Sequence, residues 1–210
     1  MEAFLEKMNQ FFEVNLDLRS RVFLLLAVVV LVPAMFLPLW HINMDAQQFP
    51  EGLSLGIYAS KLEGGGQGGN DLREINILNH YIGMQELKEE DFSEFKWIPF
   101  VVGAVLLLTL RAVVIGKVSK LVDVFVGFSY FGVFSIWMFY NKLYYYGHNL
   151  DPSAAVKVDP FMPPLFGSKQ LANFTVSSFP GLGTVAMTLF PLFLLVALYF
   201  SYREWQKAQI

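Results

Sequence analysis

The 210-residue chain is 55% hydrophobic and only 16% charged, whereas soluble domains carry roughly a quarter charged residues, so its composition belongs to a lipid bilayer. A formal net charge of −3 supplies no basic field for nucleic acid. The absence of cysteine excludes disulfides, thiolate metal sites, iron–sulfur ligation and cysteine nucleophiles, and leaves His and Met as the soft donors.

Residues 1–21 place Phe4, Leu5, Met8, Phe11 and Phe12 on one helical face with Glu6, Lys7 and Glu13 between them, which predicts an amphipathic helix lying in the lipid interface. Arg19 and Arg21 mark the membrane edge. Residues 22–40 carry no charge and form the first expected span, with Pro33 and Pro38 absorbed as kinks. A secretory signal is the rival reading. The acids Glu2, Glu6, Glu13 and Asp17, the length of the apolar run and the lack of a small-residue cleavage pattern argue against it.

Residues 41–96 form the first outer segment. Leu53, Leu55, Ile57 and Ala59 alternate with Ser54, Gly56, Tyr58 and Ser60, predicting a half-buried strand. The glycines from Gly64 to Gly69 predict a flexible tip. Asp71 with Glu74 resembles a capping box, Leu72, Ile75, Leu78 and Ile82 supply an apolar face, and Gly83 suits a helix terminator. Residues 97–115 are the second span. The segment Gly116 to Lys120 allows only a tight helical hairpin, and residues 121–143 are the third span, closed by an aromatic belt at Trp137, Tyr140 and Tyr144 to Tyr146. The proline-rich residues 147–180 predict an ordered, extended outer loop, and residues 182–201 are the fourth span.

Arg19, Arg21, Lys117, Lys120, Arg203 and Lys207 all flank span ends on one side, which the positive-inside rule makes cytoplasmic. The expected fold is an all-α membrane protein of four transmembrane helices, N-in and C-in, with a small mixed strand and helix cap from residues 41–96 and 147–180.

Arg111 and Asp123 lie at similar depth on either side of the inner hairpin, predicting a structural ion pair that locks spans two and three. Alternation puts all three histidines outside: His41, His80 and His148, with Met84 four residues after His80. Imidazole and thioether suit copper, so His41, His80, Met84 and His148 are candidate copper ligands. The alternative is that these residues bond neighbouring loops and pack as apolar contacts. No Ser-His-Asp set, zinc-protease helix or phosphate-binding glycine loop is legible, so a non-enzyme is expected.

Three segments carry a resemblance: Ile75-Asn76-Ile77-Leu78-Asn79-His80-Tyr81-Ile82-Gly83-Met84, Gly147-His148-Asn149-Leu150-Asp151-Pro152, and Pro163-Pro164-Leu165-Phe166-Gly167-Ser168-Lys169-Gln170 through Asn173-Phe174. The chain resembles a family of small bacterial membrane proteins encoded in gene clusters for the clade II (atypical) nitrous oxide reductase, a copper enzyme. The resemblance implies an inner-membrane location, a periplasmic cap and an accessory role in nitrous oxide respiration, helping maturation or copper supply. The alternative is a structural or electron-transfer-linked subunit of a respiratory membrane complex without metal. The partners implied are membrane lipid and periplasmic or membrane respiratory proteins, nitrous oxide reductase among them.

Overall fold

The computed structural model describes residues 1–171 and 173–209. Ala172, inside the expected outer loop, and Ile210 lie outside the described residues. In chain order the elements are α1 (Glu2–Phe12), α2 (Leu18–Leu31), β1 (Trp40–Ala46), β2 (Phe49–Ile57), β3 (Leu62–Gly64), α3 (Asp71–Tyr81), α4 (Glu94–Ile115), α5 (Val118–His148), β4 (Gly167–Leu171), β5 (Phe174–Pro180) and α6 (Leu182–Lys207). Among the described residues, four helices are long and apolar enough to cross a membrane: Leu18–Met35, α4, α5 and α6. The chain divides into two compact units. One, the helical unit, comprises Met1–Ala34, Phe100–Val133 and the chain from Val185 onward; the other, the sheet unit, comprises Met35–Pro99 and Phe134–Thr184.

In the helical unit, the first apolar helix starts at Leu18 rather than at residue 22, because Asp17 caps it. The Asp17 carboxylate accepts from the backbone N–H of Ser20 at 3.0 Å and of Arg19 at 3.3 Å, so both residues sit inside the first turn. Alanines 27 and 197 are wholly buried together with Leu24, Leu31, Phe190 and Leu194, since small side chains let helix backbones approach closely. Ser20 Oγ donates to the Ala197 carbonyl at 2.8 Å and lies 2.8 Å from Ser201 Oγ, which satisfies both hydroxyls where lipid offers no partner. Phe11 packs on Trp205 and Tyr202 at 5.4 and 5.7 Å between ring centroids, while Phe4 and Leu5 of α1 are exposed.

The expected tight hairpin between α4 and α5 turns at Gly116 (φ +68°) and is clipped to the segment after α1. Leu16 N donates to Gly116 O at 2.8 Å, Val118 N to Val14 O at 3.1 Å, and Lys117 Nζ to Glu13 O at 2.8 Å. Arg21 Nη1 donates to the Val113 carbonyl at 3.1 Å, one of the last carbonyls of α4 that no later helical N–H can reach. A Cβ at Gly116 would collide with the Arg21 guanidinium. Asp123 does not pair with Arg111 as expected. It takes Lys120, one turn earlier on its own helix, at 2.8 Å, and both groups are well exposed, so no cross-helix partner is required.

The sheet unit is built on five antiparallel strands in the order β3-β2-β1-β5-β4. The end of the expected first span is where the sequence reading departs furthest. After Met35 the helix stops, and Trp40–Ala46 becomes the central strand, with Trp40 opposite both Ile57 and Pro180. Pro33 lacks the N–H that would continue the α-helix, which tightens into a 3-10 turn over Val32–Met35, and Pro38 then disfavours helix at the residue before it. The expected strand 53–60 is β2, displaced to Phe49–Ile57. The extended loop ends in a hairpin, β4 on β5, in register from Gly167↔Ser178 to Leu171↔Phe174. Met44, Ala46, Leu53, Leu55, Phe174 and Val176 form the buried face of the sheet, and Ile75 and Leu78 of α3, with Ile82 just past its end, pack in the same core. Asp71 does not serve a capping box; its carboxylate accepts from Ser54 N at 2.9 Å and Ser54 Oγ at 3.3 Å, fastening the start of α3 to β2.

Candidate functional site

The stretch from Asn76 to Met84 ends α3 and turns away from it. Asn76 clasps the returning chain with both halves of its carboxamide: Leu87 N donates to Oδ1 at 2.8 Å and Nδ2 donates to Leu87 O at 3.2 Å. Gly83 then adopts φ +81°, the left-handed conformation that favours glycine at a helix end. A side chain there would also collide, since a Cβ would lie 2.8 Å from Asp151 O and 3.0 Å from Ala154 Cβ.

That close approach joins two distant segments. Asp151 N donates to Gly83 O at 2.7 Å, and Val156 N donates to Tyr81 O at 3.0 Å. A few residues earlier, Phe161 N donates to Gly147 O at 3.0 Å, and a Cβ at Gly147 would collide with Phe161 O. Pro163, Leu171 and Phe174 line the same internal space as Asn79, Ile82 and Met84. The segments 75–84, 147–152 and 163–174 therefore converge around the C-terminal end of α3.

Two spaces open there. The first is a polar cleft of about 630 Å³ lined by His80, Met84, Glu86, Lys88, Asp91 and Asp151 together with backbone and neutral groups of the same loops. Lys88 and Glu86 pair at 3.0 Å. Hydrogen bonds from the Ser153 hydroxyl (2.7 Å) and backbone N–H (2.8 Å) hold the Asp151 carboxyl below the usual carboxylate range, with the charge of His80 adding to the same direction. The second is an internal apolar cavity of about 60 Å³ behind it. Met84 lines both.

The candidate copper ligands are not brought together as a set. His80 and Met84 share the cleft. His148, although near in sequence to Asp151, has Nδ1 on the Tyr144 carbonyl at 2.9 Å and its ring stacked on Tyr144 at 3.7 Å. His41 lies in β1, and alternation along a strand puts it on the face opposite Ile42 and Met44, which line the internal cavity. Its ring rests instead near Gly181, where a Cβ would be 3.2 Å from His41 Cδ2. Among the described residues no three His, Asp or Glu side chains form a group able to hold a metal.

Reading the residues one by one missed Asn79. It is wholly buried, and neither its Oδ1 nor its Nδ2 has a hydrogen-bond partner. An Asn at an apolar position of a predicted helix was the available signal, one residue after Leu78 and three before Ile82. Comparison of the chain with protein-family models, curated proteins and solved structures found no match.

Proposed function

We propose that the chain is a multi-pass protein of the bacterial inner membrane, an accessory of periplasmic copper-dependent nitrous oxide respiration, which docks a respiratory partner through the cleft at the end of α3. Nitrous oxide reductase is the candidate partner, and the docked state serves its maturation. One observation carries this reading: of the three segments on which the family resemblance rests, 75–84 and 147–152 meet at the cleft, and the third, through Pro163, Leu171 and Phe174, lines the apolar cavity that shares Met84 with it. The cationic residues Arg19, Arg21, Lys117, Lys120, Arg203 and Lys207 support a cytoplasmic placement of both termini and of the 116–117 turn, with the sheet unit as a periplasmic cap. Docking is the role this reading gives the cleft, since His41 and His148 bond or pack elsewhere and only His80 and Met84 of the four expected ligands share it.

That dispersal also favours the second reading, a metal-free structural or electron-transfer-linked subunit of a respiratory membrane complex. The two are separated by purification of the full chain in mild detergent, with partner identification and metal analysis on the same sample. Recovery of the copper reductase or its maturation proteins is expected. A stable complex with cytochromes or quinol-oxidising subunits instead would select the second reading. Orientation is checked by thiol labelling of intact cells: Ser153→Cys should react from outside and Ser119→Cys should not, and the reverse pattern overturns the topology.

A further inference from the structure

We propose that the internal cavity of the sheet unit binds a small amphiphile, a short aliphatic chain with a carboxamide or uncharged carboxyl head, and that Asn79 is the group that reads the head. Asn79 is 0% exposed, is among the residues around the cavity, and has both carboxamide atoms unpartnered; the cavity wall is wholly apolar at rest, so a head group reaches the carboxamide only as a neighbouring side chain moves aside. Burial of an unpaired amide opposes folding, whereas leucine, branched at the same carbon, would fill the position without that penalty. The polar side chain is therefore suited to something that enters and completes it. A carboxamide offers one donor and one acceptor side by side, and the group that satisfies both at once is another carboxamide or a protonated carboxyl, in a reciprocal pair of hydrogen bonds.

The rest of the lining suits an aliphatic body. Ile42, Met44, Leu55, Leu171, Phe174 and Val176 surround the space. Its volume, about 60 Å³, exceeds the roughly 10–15 Å³ that a single water requires. Additional waters would find few partners on such walls, because the ammonium of Lys142 is already held by Asp91 O at 2.6 Å and lies 4.9 Å from the Phe92 ring centre. Access is through Met84, the side chain common to cavity and cleft, whose unbranched thioether changes rotamer readily.

The test uses the full chain in detergent micelles with its eight methionines labelled at the methyl carbon. Butyramide is the probe, and 2-pentanone, the same shape with a methyl in place of the amide nitrogen, is its control. Butyramide should produce saturable shifts of the Met44 and Met84 methyls while Met8, in the helical unit, stays still. The ketone should bind at least tenfold more weakly, and Asn79→Leu should remove butyramide binding while Met44 keeps its dispersed resonance. Equal affinity for the ketone overturns the proposal on the unaltered chain, whatever the variant does. An unchanged butyramide response in Asn79→Leu overturns it too, as does the absence of any saturable shift, which would leave water as the only occupant.

Discussion

In the helical unit Ser20 is wholly buried and finds two oxygens of α6, whereas in the sheet unit Asn79, buried to the same degree, finds no partner for its side chain. Thr109 follows the first pattern, its hydroxyl donating to the Val105 carbonyl at 2.7 Å. Among the described residues the buried side-chain atoms without a partner belong to Asn79 and Ser135, both within the sheet unit. Ser20 and Thr109 lie on membrane-length helices, where lipid supplies no hydrogen bonds and their hydroxyls are satisfied by oxygens of the protein; Ser135, on α5, is an exception to that pattern. Asn79 lies beside the cavity that shares Met84 with the cleft, so water or a small molecule can reach it when that side chain moves.

The sharpest way to break this contrast is at the loop that closes the sheet unit. Gly147→Ala sets a Cβ against the Phe161 carbonyl, a backbone atom that cannot turn aside, and should lower stability by about 3 kcal/mol. Thermal unfolding followed by near-ultraviolet circular dichroism measures it, and a loss no larger than that of a surface substitution would show that the loop yields freely. Next is Asn79→Leu without added ligand, which should raise stability by about 1–2 kcal/mol by removing an unpaired buried amide. A loss instead would mean that Asn79 is already satisfied in the resting protein. Ser20→Ala should act in the opposite sense and weakly, costing about 0.6 kcal/mol as polar pairs between spanning helices do. Unfolding in mixed micelles provides the readout, and a neutral result would remove the claim that the pair is needed.

The smallest expected effect concerns Asp151. Its folded carboxyl is held down by Ser153, so its contribution is fully present above the unfolded carboxylate value of about 3.9 and is lost as pH falls through the folded value. Ser153→Ala should move the titration upward, so that the loss begins at higher pH. Carbon-detected NMR of the Asp151 carboxyl follows this directly, and an unmoved midpoint would reassign the cause to the Ser153 backbone N–H, which the substitution leaves in place.

The helix caps and the breaks illustrate what can be read locally. Gly83 as the terminator of α3 and Gly116 in the α4–α5 hairpin follow from residue chemistry alone, and both adopt positive φ. The capping role expected of Asp71 failed for a non-local reason: Ser54, seventeen residues away, presents an N–H and a hydroxyl to the same carboxylate. The Arg111–Asp123 pair failed because depth along two helices does not specify the side on which a long side chain lies, and Lys120 was nearer. Arg21 was read as a membrane marker. Its bond to the end of α4 needs the hairpin to be in place before it can be seen.

The candidate site shows the same division. A run of apolar residues long enough to span a bilayer acts through length and composition, which no neighbour alters, so sequence alone determined that four membrane-length helices are present. A strand is different, because its partners and its buried face are set by residues far along the chain. Trp40–Ala46 continues an apolar run and is indistinguishable from helix until β2 and β5 pair with it. Once they do, the two-residue repeat turns Ile42 and Met44 into the core and His41 to the other face, and three histidines that sequence placed on one side of the membrane become residues with different neighbours. Tertiary structure alone brought Gly83 to Asp151, Gly147 to Phe161 and Asn79 into an apolar cavity, because each of those meetings depends on how the sheet closes rather than on any residue's own preference.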